Sequence, residues 1–333
     1  MTIKVDSTDA FILKNLLGDA RKNFSDMAKK IDFSSTAIRN RFLNLEKNGI
    51  ITGSTILLNP KALGYHCYGF LGLRVDQRKI QEVKAFLSKQ SGILFTWDKV
   101  QSFNIGNYFS FHTLEDFAQF TEELRKNPYV KETQPLIYLG SPYHQRPDKL
   151  IIKSEPTTKK DESTKLEVFA NSIKERGKKT KAELEDIDYK IIEILSKNAR
   201  LSFNEIAENL GVSTVQVIQR YEKMVKREVI LNSSITVDTQ KIGYTANAMI
   251  YITLEIGSNV HKMLKKIGEF PNVIILVRVM GDCDILTVIA LREFSELFTV
   301  EKQFRTMKGI KKVQINVNPP FNQWPINFFA PKS

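Results

Sequence analysis

Cysteine is almost missing from this chain of 333 residues: Cys67 and Cys283 stand far apart and in no Cys-x-x-Cys spacing. That excludes a disulfide framework and a zinc ribbon. Histidine is nearly as scarce, and His66, His112, His144 and His261 include no pair spaced as metal ligands on one helix. No metal and no cofactor are therefore expected. No run of about 18 apolar residues occurs, and the start MTIKVDSTDA has no apolar signal core. The chain reads as a soluble, cytoplasmic protein without a membrane partner. Acidic residues are in deficit, 37 against 49 Lys and Arg, which leaves a formal charge of +12. Such a surplus favours a polyanionic partner, nucleic acid ahead of an anionic membrane.

What is abundant is self-similarity, the feature to seek before any other. Asp9–Tyr65 lies on Asp188–Tyr244 without gaps, with 15 identities in 57 positions. They include Asp9/Asp188, Ala20-Arg21/Ala199-Arg200, Phe24/Phe203, Ala28/Ala207, Ser34/Ser213, Arg41/Arg220 and Gly64-Tyr65/Gly243-Tyr244. A second match sets Pro142-Tyr143-His144-Gln145-Arg146-Pro147 against Pro320-Phe321-Asn322-Gln323-Trp324-Pro325. Its role is read as packing, as is that of Trp97 and Trp324. Duplication and fusion explain both matches. The division expected is 1–60 and 61–150 for the first copy, 151–182 for a solvated Lys/Ser/Thr/Glu linker with a helix near 164–176, then 183–240 and 241–333 for the second.

Each copy opens with three short helical patterns. Asp6 can cap the first, and Ser34 or Ser213 the third, after a tight turn at Asp32-Phe33 or Gly211-Val212. Ile38, Phe42 and Leu45, like Val217, Tyr221 and Met224, recur at i, i+4 and i+7 and form a stripe that packs inward. This is a helix-turn-helix pattern. Off the stripe stand side chains suited to base edges and phosphates: Ser34, Ser35, Thr36, Arg39 and Asn40, with Ser213, Thr214, Gln216 and Gln219 in the second copy. Arg41 and Arg220 are read as phosphate contacts ahead of a bracing role through an acidic partner. Gly49–Leu58 reads as a two-stranded wing. The aligned third helices are unequal: Arg39 faces Ile218, Asn40 faces Gln219 and Thr36 faces Val215. The charge is unequal too, +4 over residues 1–65 and −2 over 183–244. The rest of each copy runs β-α-β-β-α-β, the ferredoxin-like α+β order, whose bare sheet face a second such sheet would cover.

These residues carry a resemblance. Asp188-Tyr189-Lys190-Ile191-Ile192, Ala199-Arg200-Leu201-Ser202 and Glu205-Ile206-Ala207-Glu208-Asn209-Leu210-Gly211-Val212-Ser213, with Leu45-Glu46-Lys47-Asn48-Gly49-Ile50-Ile51-Thr52-Gly53 in the first copy, resemble the leucine-responsive regulator/asparagine-operon regulator (Lrp/AsnC) family. The resemblance spans nearly the whole chain apart from the linker. It implies two winged helix-turn-helix units and two βαββαβ domains joined as a single-chain pseudo-dimer that regulates transcription, binds double-stranded DNA and assembles further. It also implies a small effector, such as an amino acid, near Gly281, Asp282 and Asp284, although a hairpin turn capped by aspartates explains that turn equally well. The first copy has Asn104-Ile105-Gly106-Asn107-Tyr108 there and lacks both acids, so a symmetric pair of effector sites is not expected.

Two other readings stand beside this one. Some tandem members of the same architecture are sirohaem decarboxylases, with a His-Asn-Tyr segment leading to Tyr-Asn-x-Trp-Phe. Here the matching stretches are Thr96-Trp97-Asp98-Lys99-Val100 with Tyr108-Phe109-Ser110-Phe111, and the second copy has no histidine on its middle strands. His112 is read as a core residue, and the chain as no enzyme. The remaining reading is an interaction module whose helix-turn-helix units no longer touch DNA.

Overall fold

In the computed structural model the described residues are 5–99, 103–140, 145–152 and 183–329. Helix α1 (Ser7–Gly18) starts at Asp6 through a reciprocal capping box with Asp9. Helix α2 (Phe24–Lys30) starts at Asn23, and α3 (Ser35–Lys47) at Ser34, whose Oγ accepts the Ala37 N–H at 3.1 Å. Strand β1 (Ile51–Leu58) closes the first unit. Its counterpart is α6 (Asp186–Lys197), α7 (Phe203–Leu210), α8 (Thr214–Lys226) and β6 (Ile230–Val237). Gly211 ends α7 in the left-handed conformation at φ 66°, and Asp32 takes φ 55° in the equivalent turn.

The wing departs from the expectation. Gly49–Leu58 does not fold back on itself as two strands. β1 is one strand, paired antiparallel with β6 of the other copy through Ser54↔Ile235, Thr55↔Ser234 and Ile56↔Ser233. The segment has no reversing turn of its own, and pairing across copies buries Ile56, Leu58, Ile235 and Val237 together. Side chains complete the exchange: Ser233 Oγ donates to Asp19 (2.6 Å), and Ser54 Oγ donates to Asn198, the equivalent of Asp19 (3.0 Å). The two helical units thus interlock.

The rest comprises β2 (Cys67–Val75), α4 (Ile80–Ser88), β3 (Ile93–Asp98), β4 (Ile105–Phe111), α5 (Leu114–Arg125) and β5 (Val130–Leu139). The second copy adds β7 (Ala246–Leu254), α9 (Val260–Gly268), β8 (Val273–Met280), β9 (Ile285–Leu291), α10 (Ser295–Arg305) and β10 (Ile310–Asn318). Strand alternation sorts the side chains by face. Leu71, Leu73, Ile105 and Phe109 pack on α4 and α5, while Ala248, Ile250, Ile285 and Ile289 pack on α9 and α10. On the opposite faces Tyr68, Phe70, Tyr108 and Tyr138 share one core with Met249, Tyr251, Val277 and Leu286. The sheets therefore cover each other's bare faces. They also join edge to edge, β5 to β8 through Ile137↔Met280, Tyr138↔Val279 and Leu139↔Arg278, into one sheet ordered β10-β7-β9-β8-β5-β2-β4-β3.

The exits from the sheets tie the copies once more. Gln145 exchanges two hydrogen bonds with the Ile326 backbone (2.7 and 3.0 Å). Within the second copy Trp324, fully buried, pairs its backbone with Val237. The helix expected near 164–176 lies outside the described residues.

Candidate nucleic-acid interface

The inward stripe of α3 is Ile38, Phe42 and Leu45, all buried. The same helix exposes Ser35, Thr36, Arg39 and Asn40, as its 3.6-residue period requires. Helix α8 buries Val217 and Met224, with Tyr221 half-buried against Phe203 at 5.1 Å between ring centroids. Gln219 is exposed, but Thr214 and Gln216 are half-buried, so the second face offers fewer polar groups than its sequence suggests. Ser34 and Ser213 serve as N-caps, Ser213 Oγ accepting the Gln216 N–H at 3.2 Å. Neither α3 nor α8 has an acidic residue in its first turn, whereas α1, α5 and α7 do. The positive ends of the two outward helices are thus left uncompensated by their own sequence.

Arg41 and Arg220, read from the sequence as phosphate contacts first, have the acidic partners of the bracing role. Arg41 Nη1 bonds Asp6 (2.6 Å) and Asp9 (3.0 Å), and Arg220 bonds Glu185 (2.6 Å) and Asp188 (3.1 Å). The carboxylates that cap the first helix of each copy hold the guanidinium of its third, and the Glu185 hydrogen bond raises the Arg220 pKa above its usual value. These arginines brace the helix. An arginine with two carboxylates within reach has its charge already matched.

A pair that sequence comparison marked but left without a role does more. Arg21 Nη1 donates to the Ala199 (2.7 Å) and Leu201 (2.9 Å) carbonyls of the other copy, with its guanidinium 4.0 Å from the Phe203 ring centre. Arg200 reciprocates, bonding the Ala20 carbonyl and lying over Phe24 and Phe42. Burial lowers the pKa of both. The identity Ala-Arg in both copies was the signal. That each arginine would cross to the opposite copy was not readable from it.

The Gly281-Asp282-Cys283-Asp284 turn joins β8 to β9 and sits against the first copy. Gly281 has φ 149°, and a Cβ there would lie 2.4 Å from the Pro135 carbonyl oxygen. Asp282 accepts from Gln134 (3.1 Å), while Asp284 accepts the Leu254 N–H (2.7 Å) and so fastens the turn. One carboxylate is exposed between the copies and the other is structural. His112 is not in the core: it is exposed, stacked on Tyr65 at 4.7 Å, with Nδ1 3.0 Å from the Gly64 carbonyl. Between the sheets lies Lys99, buried at 6% exposure, its Nζ donating to the Tyr251 hydroxyl (3.2 Å) and 4.8 Å from the Phe70 ring centre. Burial pulls its pKa down to about 8.

Three family models match the chain: winged helix-turn-helix DNA-binding over 6–52, AsnC-type helix-turn-helix domain over 184–225, and Lrp/AsnC ligand binding domain over 247–318. The regulatory protein AsnC of Haemophilus influenzae is 30% identical over 117 residues, which cover 78% of that protein and 35% of this chain. The chain belongs to the Lrp/AsnC family. The transcriptional regulator LrpA of Pyrococcus horikoshii is 44% identical over 79 residues, 56% of that protein and 24% of this Lrp/AsnC chain. Among solved structures, the sirohaem decarboxylase NirDL has a similar fold, with a TM-score of 0.62 at 16% identity over 98% of this chain and 95% of that one. A likeness at that identity concerns the fold alone. It places the tandem arrangement of this Lrp/AsnC member beside another two-copy protein. No described helix is long and apolar enough to cross a membrane.

Proposed function

We propose that this Lrp/AsnC protein regulates transcription as a single-chain pseudo-dimer, with α3 and α8 each entering the major groove of one duplex. The observation that carries the reading is the outward face of α3, where Ser35, Thr36, Arg39 and Asn40 stand exposed behind a first turn free of acids. The interlocked strands and the Arg21/Arg200 exchange hold the second reader in fixed relation to the first, which a two-part DNA site requires. Two identical chains impose symmetry on their site; two fused, diverged copies do not. Arg39 faces Ile218 across the repeat, so the half-sites differ in sequence, and the more basic first unit is the main reader. Arg39→Ala should lower affinity about 10- to 100-fold, the range for losing one good base or phosphate contact. Unchanged binding in an anisotropy titration at about 50 mM salt would remove α3 from the interface.

An amino-acid-like effector is assigned to the exposed Asp282 beside Gly281, where a carboxylate can meet an amino group between the copies; Asp284 supports the turn. Asp282→Asn should abolish any shift in DNA affinity produced by such a ligand while leaving basal binding intact. Assembly of several such chains follows the family's habit, and light scattering measures it. The whole-chain fold likeness to a sirohaem decarboxylase supports a second reading, a tetrapyrrole-processing enzyme on the same frame. Uptake of sirohaem, read by its absorbance, together with no DNA binding, would favour it.

A further inference from the structure

The outward face of α8 carries an apolar side chain that packing does not explain. Val215 is 62% exposed and lies outside the packed cores, and Ile218, three residues on along the same face, is half-buried. Both are β-branched, which lowers helix propensity, so helix stability does not account for them either. Their equivalents in α3 are Thr36 and Arg39, polar as a solvent-facing position ordinarily is. Beside them Gln219 is exposed, and further along the helix Lys223, Lys226 and Arg227 face solvent where phosphates would run. Val215 sits in the first turn of α8, the end of a recognition helix that reaches base edges.

A major groove offers one apolar group to such a surface, the C5 methyl of thymine. Gln219, one turn from Val215, carries the amide that pairs bidentately with adenine. We propose that Val215, with Ile218 beside it, reads thymine methyl groups, so that the half-site under α8 is selected for A·T pairs by apolar contact. The half-site under α3 is selected by hydrogen bonding, with Arg39 matched to guanine. The inference rests on the DNA-binding reading above and names what the second reader recognises.

The test uses the full chain. Duplexes are selected from a random pool at about 50 mM salt, and thymines of the selected site are replaced by deoxyuridine, one half at a time. Deoxyuridine keeps every hydrogen-bonding group and removes only the methyl. In one half the replacement should weaken wild-type binding about 3- to 10-fold per contacted position, the scale of one buried methyl group. V215A should bind the thymine duplex more weakly by a similar factor and should not respond to deoxyuridine in that half. Val215 is exposed, so V215A should fold as the wild type does, and circular dichroism checks it. Equal deoxyuridine effects on wild type and V215A, or none in either half, would overturn the methyl reading while DNA binding stands. Failure to enrich any duplex would overturn both, and would be seen before any deoxyuridine is introduced.

Discussion

Lys99→Met probes the surface on which the two copies meet. Lys99 is buried between the sheets, with the Tyr251 hydroxyl 3.2 Å from its amine and the Phe70 and Tyr251 rings around it. The neighbouring Asp98 is turned away and pairs with Lys84 at 2.7 Å. No ion pair reaches Lys99 among the described residues, and burial lowers its pKa from 10.5 to about 8. The unfolded chain therefore binds the proton more tightly than the folded one. At pH 7 both forms are charged, and the difference of about 2.5 units costs roughly 3 kcal/mol of stability. The cost is relieved as pH rises from 8 towards 10.5, and at pH 9.5 about half of it remains. Methionine removes this cost, but it forfeits a hydrogen bond and a cation–π contact, together about 1–2 kcal/mol. Lys99→Met should therefore stabilise the protein by about 1–2 kcal/mol at pH 7, and the gain should vanish near pH 9.5. Burial raises the pKa values of Cys67 and Cys283, so their contributions to stability fall as pH climbs, but neither touches Lys99 and both cancel in the difference. Denaturant melts of both proteins at the two pH values measure it. A variant less stable at pH 7, or a difference that does not change with pH, would refute the claim that Lys99 is held against its own desolvation.

Other substitutions separate structural from reading roles. Arg21→Ala strips two carbonyl partners and an aromatic stack from the opposite copy and should cost about 2–4 kcal/mol, seen as a lower denaturation midpoint. Arg41→Met should leave the salt slope of DNA binding unchanged because its partners are Asp6 and Asp9, whereas a slope smaller by about 0.9 would mean a phosphate contact. Gly281→Ala, with its Cβ driven into the Pro135 carbonyl at a φ reserved for glycine, should destabilise the protein by more than about 2 kcal/mol, and a thermal melt would report it.

Much of the architecture was legible because it depends on periodicity and local chemistry. The apolar stripe at Ile38, Phe42 and Leu45 can be buried on a helix in only one way, and Ser34 and Ser213 cap because the residues after them begin that stripe. The β-α-β-β-α-β order of both halves was legible for the same reason. The ion pairs of Arg41 and Arg220 were not legible because the acids that hold them are more than thirty residues away along the chain, and no local pattern reveals a partner at that distance. His112 looked apolar by company, yet its strand had already ended and its ring lies on Tyr65 at the surface.

The sequence by itself determined that there are two copies, which residues of each face inward, and that the two third helices differ. Those properties follow from side-chain chemistry read at fixed spacing. The tertiary structure alone decided which copy each element serves. β1 pairs with β6 instead of closing its own hairpin, Arg21 and Arg200 each hold the opposite backbone, and β5 meets β8 to join the sheets. Backbone edges and carbonyls look the same in either copy. Their pairing is therefore set by which apolar faces come together in the folded chain, and no residue type encodes it.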